Sequence, residues 1–547
     1  MKKMYIGRCL FLLLLTLLFV TAVFSASRSQ PDYSTPMSFE YSLTEAYVSD
    51  THDVIKQLET YIDNGKNSKI EKTVELITDK TNYISHQYDV SKMLYYADLE
   101  DEAAYEAYVF SEDAFFAVAE ESLRVLKKLY LSDLSSKNKV FEDWTEKELR
   151  VLTLSNEEIF DLEAKQNDFV REYLSLDNPG SEEWSVALEN IYYEYVKTSQ
   201  QIALLNDYEN YYDYSATEIY LREYTKEQRE SFRKNVREYI LPFYFETDSL
   251  YHEKKALLND EQKALFSSLR KDTCEPSNEY LTGYINSYPE DMKTFMNYLF
   301  DRNALMYTTS ENAYTTGFTD FSYYCEQPYV FLGNQCQDLL TLIHELGHYT
   351  AFYHFEDSFL PYDTCEVHSQ GNEWLMLCYL DGKFDPQVYE MFLLWRLRYG
   401  LDIIILSTII DEYEETIYTC EDLTSPEQFS GIMDDILRGY ENIESFMSKE
   451  ELYTYAQYVT IEAPVYYLSY ATSELASMSL YSVAIHQDYE TAQSIYTNLC
   501  LETDIEQFFF DTLIDVGLPN PFDVDTVEDI ISSFENITSS NIVVPAA

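Results

Sequence analysis

Residues 344–348 (HELGH) have the residue types and the spacing of a catalytic metal site. Histidines four positions apart lie on one face of a helix, one turn apart, so the imidazoles of His344 and His348 can reach one metal ion. Glu345 follows the first histidine, and its carboxylate can accept a proton from a water activated by that metal. The pattern predicts metal-assisted hydrolysis. Two structural histidines on a buried helix are the simpler alternative.

A tetrahedral catalytic zinc site needs a third protein ligand and a position for water. After the histidines the chain reads as a loop and then as a second helix, residues 366–380. Glu366, Gln370 and Glu373 are spaced so that they share one face of this helix. A carboxylate there that does not bind the metal can support a ligand imidazole instead. By spacing alone, four residues compete for the third ligand position: Cys365, Glu366, His368 and Glu373.

The elements that position these residues are predicted to be helices. The 547 residues include only 13 Gly and 14 Pro, which argues against turn-rich all-β folds. From Met37 onward, apolar residues recur at intervals of three and four between acidic residues. Residues 310–335 differ, because β-branched and aromatic residues gather there. The sequence therefore predicts a mostly α-helical fold, with a small strand element directly before the histidine helix.

Charge and composition exclude several classes of protein. The chain has 38 Lys and Arg against 96 Asp and Glu, a formal net charge of −58. A field this negative repels phosphate backbones, so no nucleic-acid partner is expected. Most of the carboxylates are expected on solvated helix faces. Hydrophobic residues make up 46% of the chain, which is enough for a folded core.

Residues 1–26 have the pattern of a secretory signal peptide. Lys2, Lys3 and Arg8 precede an apolar run at residues 9–24, and small residues follow it. The run is nearly long enough to span a bilayer, so an uncleaved signal anchor is the alternative. We therefore expect the protein outside the cytoplasm, secreted or anchored at its N terminus, with membrane contact only through such an anchor.

The segment 337–380 resembles the catalytic region of the oligoendopeptidase F and thimet oligopeptidase family of zinc metallopeptidases. That family has a His-Glu-x-Gly-His helix, followed by a second helix that opens with a glutamate and carries a further glutamate. The resemblance implies a helical shell around a substrate channel and one zinc ion per chain. It implies the zinc ligands His344, His348 and Glu366, the base Glu345, and Glu373 as support for a ligand.

A second part of the resemblance concerns the substrate. The stretch 313–318 resembles the family's strand beside the bound peptide, where backbone groups pair with the substrate. The resemblance implies peptide contacts at Ala313, Tyr314 and Gly317. With the closing segment near the C terminus, the resemblance covers residues 201–534.

The stretch 461–474 resembles the tyrosine-rich helix that faces the zinc in this family. A phenol there can donate a hydrogen bond to the oxyanion of the tetrahedral intermediate. The resemblance implies this role for Tyr470 first and Tyr467 second, and substrate contact for Tyr466. The family usually has a histidine shortly before this position, where this chain has Tyr458. Either such a tyrosine takes over the contact, or the enzyme is slower or altered in specificity.

Together these features predict a zinc-dependent endopeptidase that hydrolyses short unstructured peptides. The predicted organisation is a signal peptide or anchor at 1–26, an N-terminal helical region at 27–200 and a catalytic region at 201–547. Two alternatives stay open. One is a secreted gluzincin protease that acts on larger proteins. The other is a catalytically weak extracellular peptide-binding or surface protein that keeps its metal site, an alternative that the missing histidine supports.

Overall fold

The computed structural model describes most of the chain beyond the predicted signal segment. The described residues are 36–142, 144, 149–150, 152–153, 157–176, 180–270, 278–315, 317–334, 338–355, 361–503 and 507–538. The predicted signal peptide or anchor, residues 1–26, lies outside them. Among the described residues, no helix has the length and apolar character needed to cross a membrane.

Helices form most of the described structure. Those before the strands are α1 (Glu45–Asp63), α2 (Ile70–Ala97), α3 (Glu102–Tyr130), α4 (Glu157–Leu174), α5 (Glu182–Leu205), α6 (Tyr211–Tyr214), α7 (Lys226–Asn235), α8 (Leu241–Leu257), α9 (Asp260–Ser268), α10 (Glu279–Asn286) and α11 (Glu290–Asp301). Those after the strands are α12 (Leu339–Phe355), α13 (Tyr362–Leu380), α14 (Pro386–Tyr418), α15 (Gln428–Leu437), α16 (Lys449–Glu462), α17 (Leu468–His486), α18 (Tyr489–Leu501), α19 (Phe509–Val516) and α20 (Val524–Thr538). The π-helical turns Ser215–Ile219 and Val236–Ile240 continue α6 and α7, and short 3₁₀ turns lie at Asn67–Lys69, Ser135–Lys137 and Ile443–Ser445.

Three short strands form one sheet directly before α12. They are β1 (Leu305–Tyr307), β2 (Gly317–Ser322) and β3 (Gln327–Leu332), in the order β1-β3-β2. The central strand β3 is buried throughout, runs parallel to β1 and is antiparallel to β2. Both β2 and β3 pack against α12. The predicted mostly helical fold, with a small strand element before the histidine helix, is confirmed.

Within the described part of the chain, two hydrophobic clusters form the core. One lies among α1, α2 and α3 and includes Ile55, Val118 and Leu129. The larger cluster takes in α4, α5 and the rest of the described chain, up to Phe534. Helix α2 contributes to both, because Val90 on it belongs to the larger cluster. The division of the chain at residue 200 stays a prediction.

The helices α12, α13 and α17 form the centre of the larger cluster. Helix α13 packs against both of the others, and almost all of its residues are buried. A helix buried on all sides must satisfy its polar side chains within the protein, since an unpaired buried polar group is costly. The many polar residues of α13 are therefore expected in hydrogen bonds or at a site.

Candidate active site

The side chains of two helices meet at one point, where they could hold a metal ion. Donor atoms of His344 and His348 on α12 and of Glu366 on α13 all lie within 4.8 Å of one another. The Glu366 Oε2 atom is 3.8 Å from Nε2 of His344 and 3.7 Å from Nε2 of His348. Ligands of a tetrahedral zinc, each about 2.1 Å from the ion, lie roughly 3.4 Å apart. Two nitrogen donors and one oxygen donor at this spacing fit zinc.

A glycine allows the two helices to approach closely enough for this. A Cβ atom on Gly347 would lie 2.3 Å from the carbonyl oxygen of His368 on α13. The Asn372 side chain on α13 also joins the two helices, because it donates to the carbonyl oxygen of Ile343 on α12 at 2.7 Å. The backbones thus cross in contact, and Glu366 is brought to the histidines as a result.

A buried ion network holds the first histidine. The Glu373 carboxylate is 2.8 Å from Nδ1 of His344, which leaves Nε2 of that ring for a metal. Arg396 donates from Nε to Glu373 at 2.7 Å and from its other nitrogens to Glu474 at 2.7 and 3.0 Å. Burial opposes ionisation of Glu373, but Arg396 and His344 outweigh it, and the pKa of this carboxyl is lowered. Glu373 is therefore an anion that orients the imidazole.

The carboxylate of Glu345 lies under strand β2. It is 5% exposed, and the Thr319 hydroxyl donates to its Oε2 atom at 2.7 Å. A Cβ atom on Gly317 would lie 3.2 Å from Oε1, so the strand fits closely against this side chain. Burial raises the pKa of Glu345 to about 7, although His344 and Thr319 act in the opposite direction. A carboxyl with this pKa can both accept and return a proton near neutral pH.

The tyrosines of the predicted set differ in what they contact. The Tyr466 phenol donates to Oε1 of Glu366 at 2.5 Å. The Tyr470 ring lies 4.9 Å from the Tyr466 ring, and the charges of Glu366 and Glu345 help to raise the pKa of Tyr470, after burial. The Tyr467 phenol instead lies 3.5 Å from that of Tyr455. The structure thus brings Tyr466 and Tyr470 to the site and directs Tyr467 away, toward α16.

The residues expected around a peptide lie close to the same strand. Both Ala313 and Tyr314 are buried, and their backbone N–H groups donate to the carbonyl oxygens of Ser310 at 3.2 Å and Tyr96 at 2.8 Å. These two N–H groups are therefore used within the protein. Peptide pairing at Ala313, Tyr314 and Gly317 stays a prediction.

The tyrosine at the place of the family's histidine packs elsewhere. The Tyr458 ring stacks on Tyr173 of α4, with the ring centres 6.4 Å apart, and meets the edge of Tyr455 at 5.1 Å. The stacking on Tyr173 joins α16 to α4. A transition-state contact by Tyr458 stays a prediction.

Three residues of the site, Arg396, Glu474 and Thr319, are not among those predicted from the sequence. Arg396 and Glu474 have a usable signal, because each is a charged residue within a helical stretch of apolar or small residues, 391–397 and 468–485. Thr319 has none, since a threonine in a strand is ordinary.

The tyrosine helix α17 begins after a turn held by buried polar groups. Tyr220 donates to the carbonyl oxygen of Pro464 at 2.8 Å, and Glu414 accepts from the Val465 N–H at 2.7 Å. Glu414 is fully buried. Burial, with a smaller contribution from the charge of Asp411, raises the pKa of Glu414 well above its ordinary value of 4.5. The group therefore favours its neutral form in the folded protein.

Replacing Glu414 by glutamine is expected to stabilise the protein at neutral pH. A carboxyl whose pKa is raised on folding contributes stability that is fully present below its unfolded pKa, about 4.5, and is lost as the pH rises toward the folded pKa. Glutamine resembles the neutral acid and cannot ionise, so the variant does not lose this stability as the pH rises. Urea unfolding across a pH series measures the difference, which should vanish in acid. Glu441→Gln on the surface is the matched control, and a destabilised Glu414→Gln variant at neutral pH would contradict the expectation.

The comparisons with known proteins bear on the fold. No protein-family model and no curated protein matches the chain by sequence. Solved structures do match. PZ peptidase A, in a structure with an inhibitor, has a TM-score of 0.69 at 14% identity, over 92% of this chain and 100% of its own. A protein named oligoendopeptidase F from Bacillus anthracis str. Ames has a TM-score of 0.67 at 16% identity, over 93% and 99%.

A third structure, oligoendopeptidase F from Enterococcus faecium, has a TM-score of 0.53 at 15% identity, over 90% of this chain and 97% of its own. These likenesses extend over nearly the full length of each chain. They include the N-terminal helices, for which the sequence resemblance gives only helical character. The chain therefore has the fold of oligoendopeptidase F and related peptidases.

Proposed function

We propose that the protein is a zinc-dependent endopeptidase of the oligoendopeptidase F family. The observation that carries the proposal is the convergence of His344, His348 and Glu366 beside the Glu345 carboxylate, within a peptidase fold. Two histidines and a glutamate are a ligand set of catalytic zinc sites. A zinc ion held by them supplies Lewis acidity to a carbonyl oxygen and to a water molecule.

The side chains of this chain supply the proton transfers. Glu345, buried and directly next to the proposed ligand His344 in the chain, accepts a proton from the attacking water and passes it to the amine that leaves. Thr319 holds one oxygen of that carboxylate, so the other oxygen can face the substrate. Tyr470 donates a hydrogen bond to the oxyanion, whose charge is absent in the ground state.

The enclosure of the site supports short, unstructured peptides as substrates. Glu345 is 5% exposed, and the side chain of His348 is 15% exposed. A scissile carbonyl reaches groups this deeply buried most readily on an extended, flexible segment, because a folded domain holds its backbone within its own secondary structure. This observation favours an oligopeptidase over a protease of folded proteins.

Hydrolysis of short quenched peptides tests the proposal. We expect the zinc-loaded protein to cleave a mixed peptide library, to lose this activity when a chelator removes the metal, and to regain it with added zinc. Casein and a native globular protein serve as comparison substrates and should be cut slowly or not at all. Faster cleavage of the native protein would support the alternative of a protease for larger proteins. A zinc-loaded protein that binds the peptides without cleaving them would support the peptide-binding alternative.

A further inference from the structure

The turn Pro464–Tyr466, which joins α16 to the tyrosine helix α17, has a strained backbone. Val465 has a φ of +62°, a conformation that β-branched residues rarely adopt. The facing segment is strained as well, since Leu221 has a φ of +53°. Residues in such conformations persist only where the surrounding contacts leave them no alternative, and they cluster at functional sites.

An arginine holds the turn from one side. Arg222 is buried and donates to the carbonyl oxygens of Val465 at 2.7 Å and Tyr466 at 3.0 Å. The same guanidinium donates to the Ser469 hydroxyl at 2.9 Å, in the first turn of α17. One planar group with fixed donor directions thus orients two successive carbonyls and the start of the helix.

Two further groups hold the turn from the other side. The Glu414 carboxyl accepts from the Val465 N–H at 2.7 Å, and the Tyr220 phenol donates to the Pro464 carbonyl oxygen at 2.8 Å. With Arg222, these contacts fix the N–H and the carbonyl of Val465 and both neighbouring carbonyls. Such a set is sufficient to keep a valine at positive φ.

The same arginine links the turn to the helix that carries the third donor. The Nε atom of Arg222 is 3.8 Å from Oδ2 of Asp363, which lies in the first turn of α13, one turn before Glu366. Tyr466 directly follows Val465, and its phenol reaches the Glu366 carboxylate at 2.5 Å. These two contacts therefore fix the position of the strained turn relative to the Glu366 carboxylate.

We propose that Arg222 and Glu414 are positioning residues: they hold the Val465 turn so that the Tyr466 phenol stays on the Glu366 carboxylate. A hydrogen bond to a carboxylate donor keeps one of its oxygens directed at the metal, and loss of such a partner typically costs about 10–100-fold in metal affinity. This inference rests on the proposed function, because it concerns the same metal site.

Two substitutions at Val465 separate positioning from packing. Val465→Ala and Val465→Gly both remove the valine methyl groups, but only glycine adopts positive φ without strain. We expect the glycine variant to unfold at a higher Tm than the alanine variant, the reverse of the usual order. We also expect it to bind zinc about 10-fold more weakly than the alanine variant, because the relaxed turn samples other conformations. If the more stable glycine variant binds zinc as tightly as the alanine variant, the proposal is overturned.

Substitutions at Glu414 and Tyr466 test whether Glu414 affects zinc binding through the Tyr466 phenol. Glu414→Leu removes the acceptor of the Val465 N–H and should weaken zinc binding, whereas Glu414→Gln keeps an acceptor and should restore it. Tyr466→Phe should weaken zinc binding by about 10-fold. The double variant Glu414→Leu/Tyr466→Phe should lose no more than Tyr466→Phe alone. Losses that multiply would show that Glu414 does not act through Tyr466.

The readout is zinc affinity of the folded protein, measured by competition with a chromogenic chelator. It requires no peptide substrate. A wild type that holds zinc but cleaves no peptide would defeat the proposed function and leave this test intact. Equal zinc affinity of the wild type, Glu414→Leu and Val465→Gly would defeat the positioning role alone.

Discussion

Replacing Glu345 by glutamine is expected to lower kcat for peptide hydrolysis by about 10²–10⁴-fold while zinc stays bound. Glutamine has the same shape and can still accept the hydrogen bond from Thr319, but its amide cannot take a proton from water near neutral pH. The carboxylate does not belong to the His344, His348 and Glu366 set, so metal content should be unchanged. Turnover of quenched peptides, with zinc measured in each sample, gives the comparison.

A surface change of the same kind provides the control. Glu441 is exposed, and Glu441→Gln removes one negative charge without touching the site. Its kcat should equal that of the wild type. If Glu345→Gln retains activity within about tenfold of the wild type, another group is the base and the assignment of Glu345 is wrong. If neither the wild type nor Glu345→Gln cleaves peptides while both hold zinc, the peptidase proposal fails.

Adding one methyl group at Gly347 is expected to damage both the fold and the metal site. In Gly347→Ala the new Cβ would lie 2.3 Å from the His368 carbonyl oxygen, far inside van der Waals contact. The three nearest atoms all belong to the backbone of His368 and Ser369 on α13, so the overlap can be relieved only if α12 and α13 separate. Overpacking of this kind costs about 1–3 kcal/mol of unfolding free energy, or more. A shift of about 1 Å in a catalytic site can cost about 10²-fold in kcat/KM.

A second helical glycine supplies the matched control. Gly431 lies within α15, and a Cβ atom there would meet nothing within 4 Å. Gly431→Ala should therefore raise the unfolding free energy by about 0.5–1 kcal/mol, because alanine is the better helix former. Urea unfolding and chelator competition measure both variants. A Gly347→Ala protein with the stability and zinc affinity of the wild type would mean that the helices do not cross in contact at this point.

The core of the candidate site could be predicted because its spacing is local. His344, Glu345 and His348 occupy one helix, and helical periodicity alone places the two imidazoles together. The third donor could not be chosen this way, since four residues compete for it. The structure decides through packing: the contact at Gly347 brings Glu366 to the histidines, whereas the His368 ring lies 3.4 Å from the Leu499 carbonyl oxygen.

The sequence could not pair Thr319, Arg396 and Arg222 with the site, because they come from distant parts of the chain. Thr319 lies on a strand, Arg396 on α14, and Arg222 on a segment far before the histidines. Nothing in the local pattern pairs them with the site, since their partners are fixed only by how the helices pack. The mostly helical fold, in contrast, follows from the three- and four-residue recurrence of apolar positions, which each helix displays independently.

The buried arginine between two carboxylates constrains how this chain can change over evolution. Arg396 is 1% exposed and pairs with both Glu373 and Glu474, so loss of the arginine leaves two buried carboxylates without their counter-charge in the core. Such a loss is strongly unfavourable unless a compensating change accompanies it. Across homologous chains, these three positions should therefore covary: a homologue without the arginine should also have lost at least one of the two carboxylates.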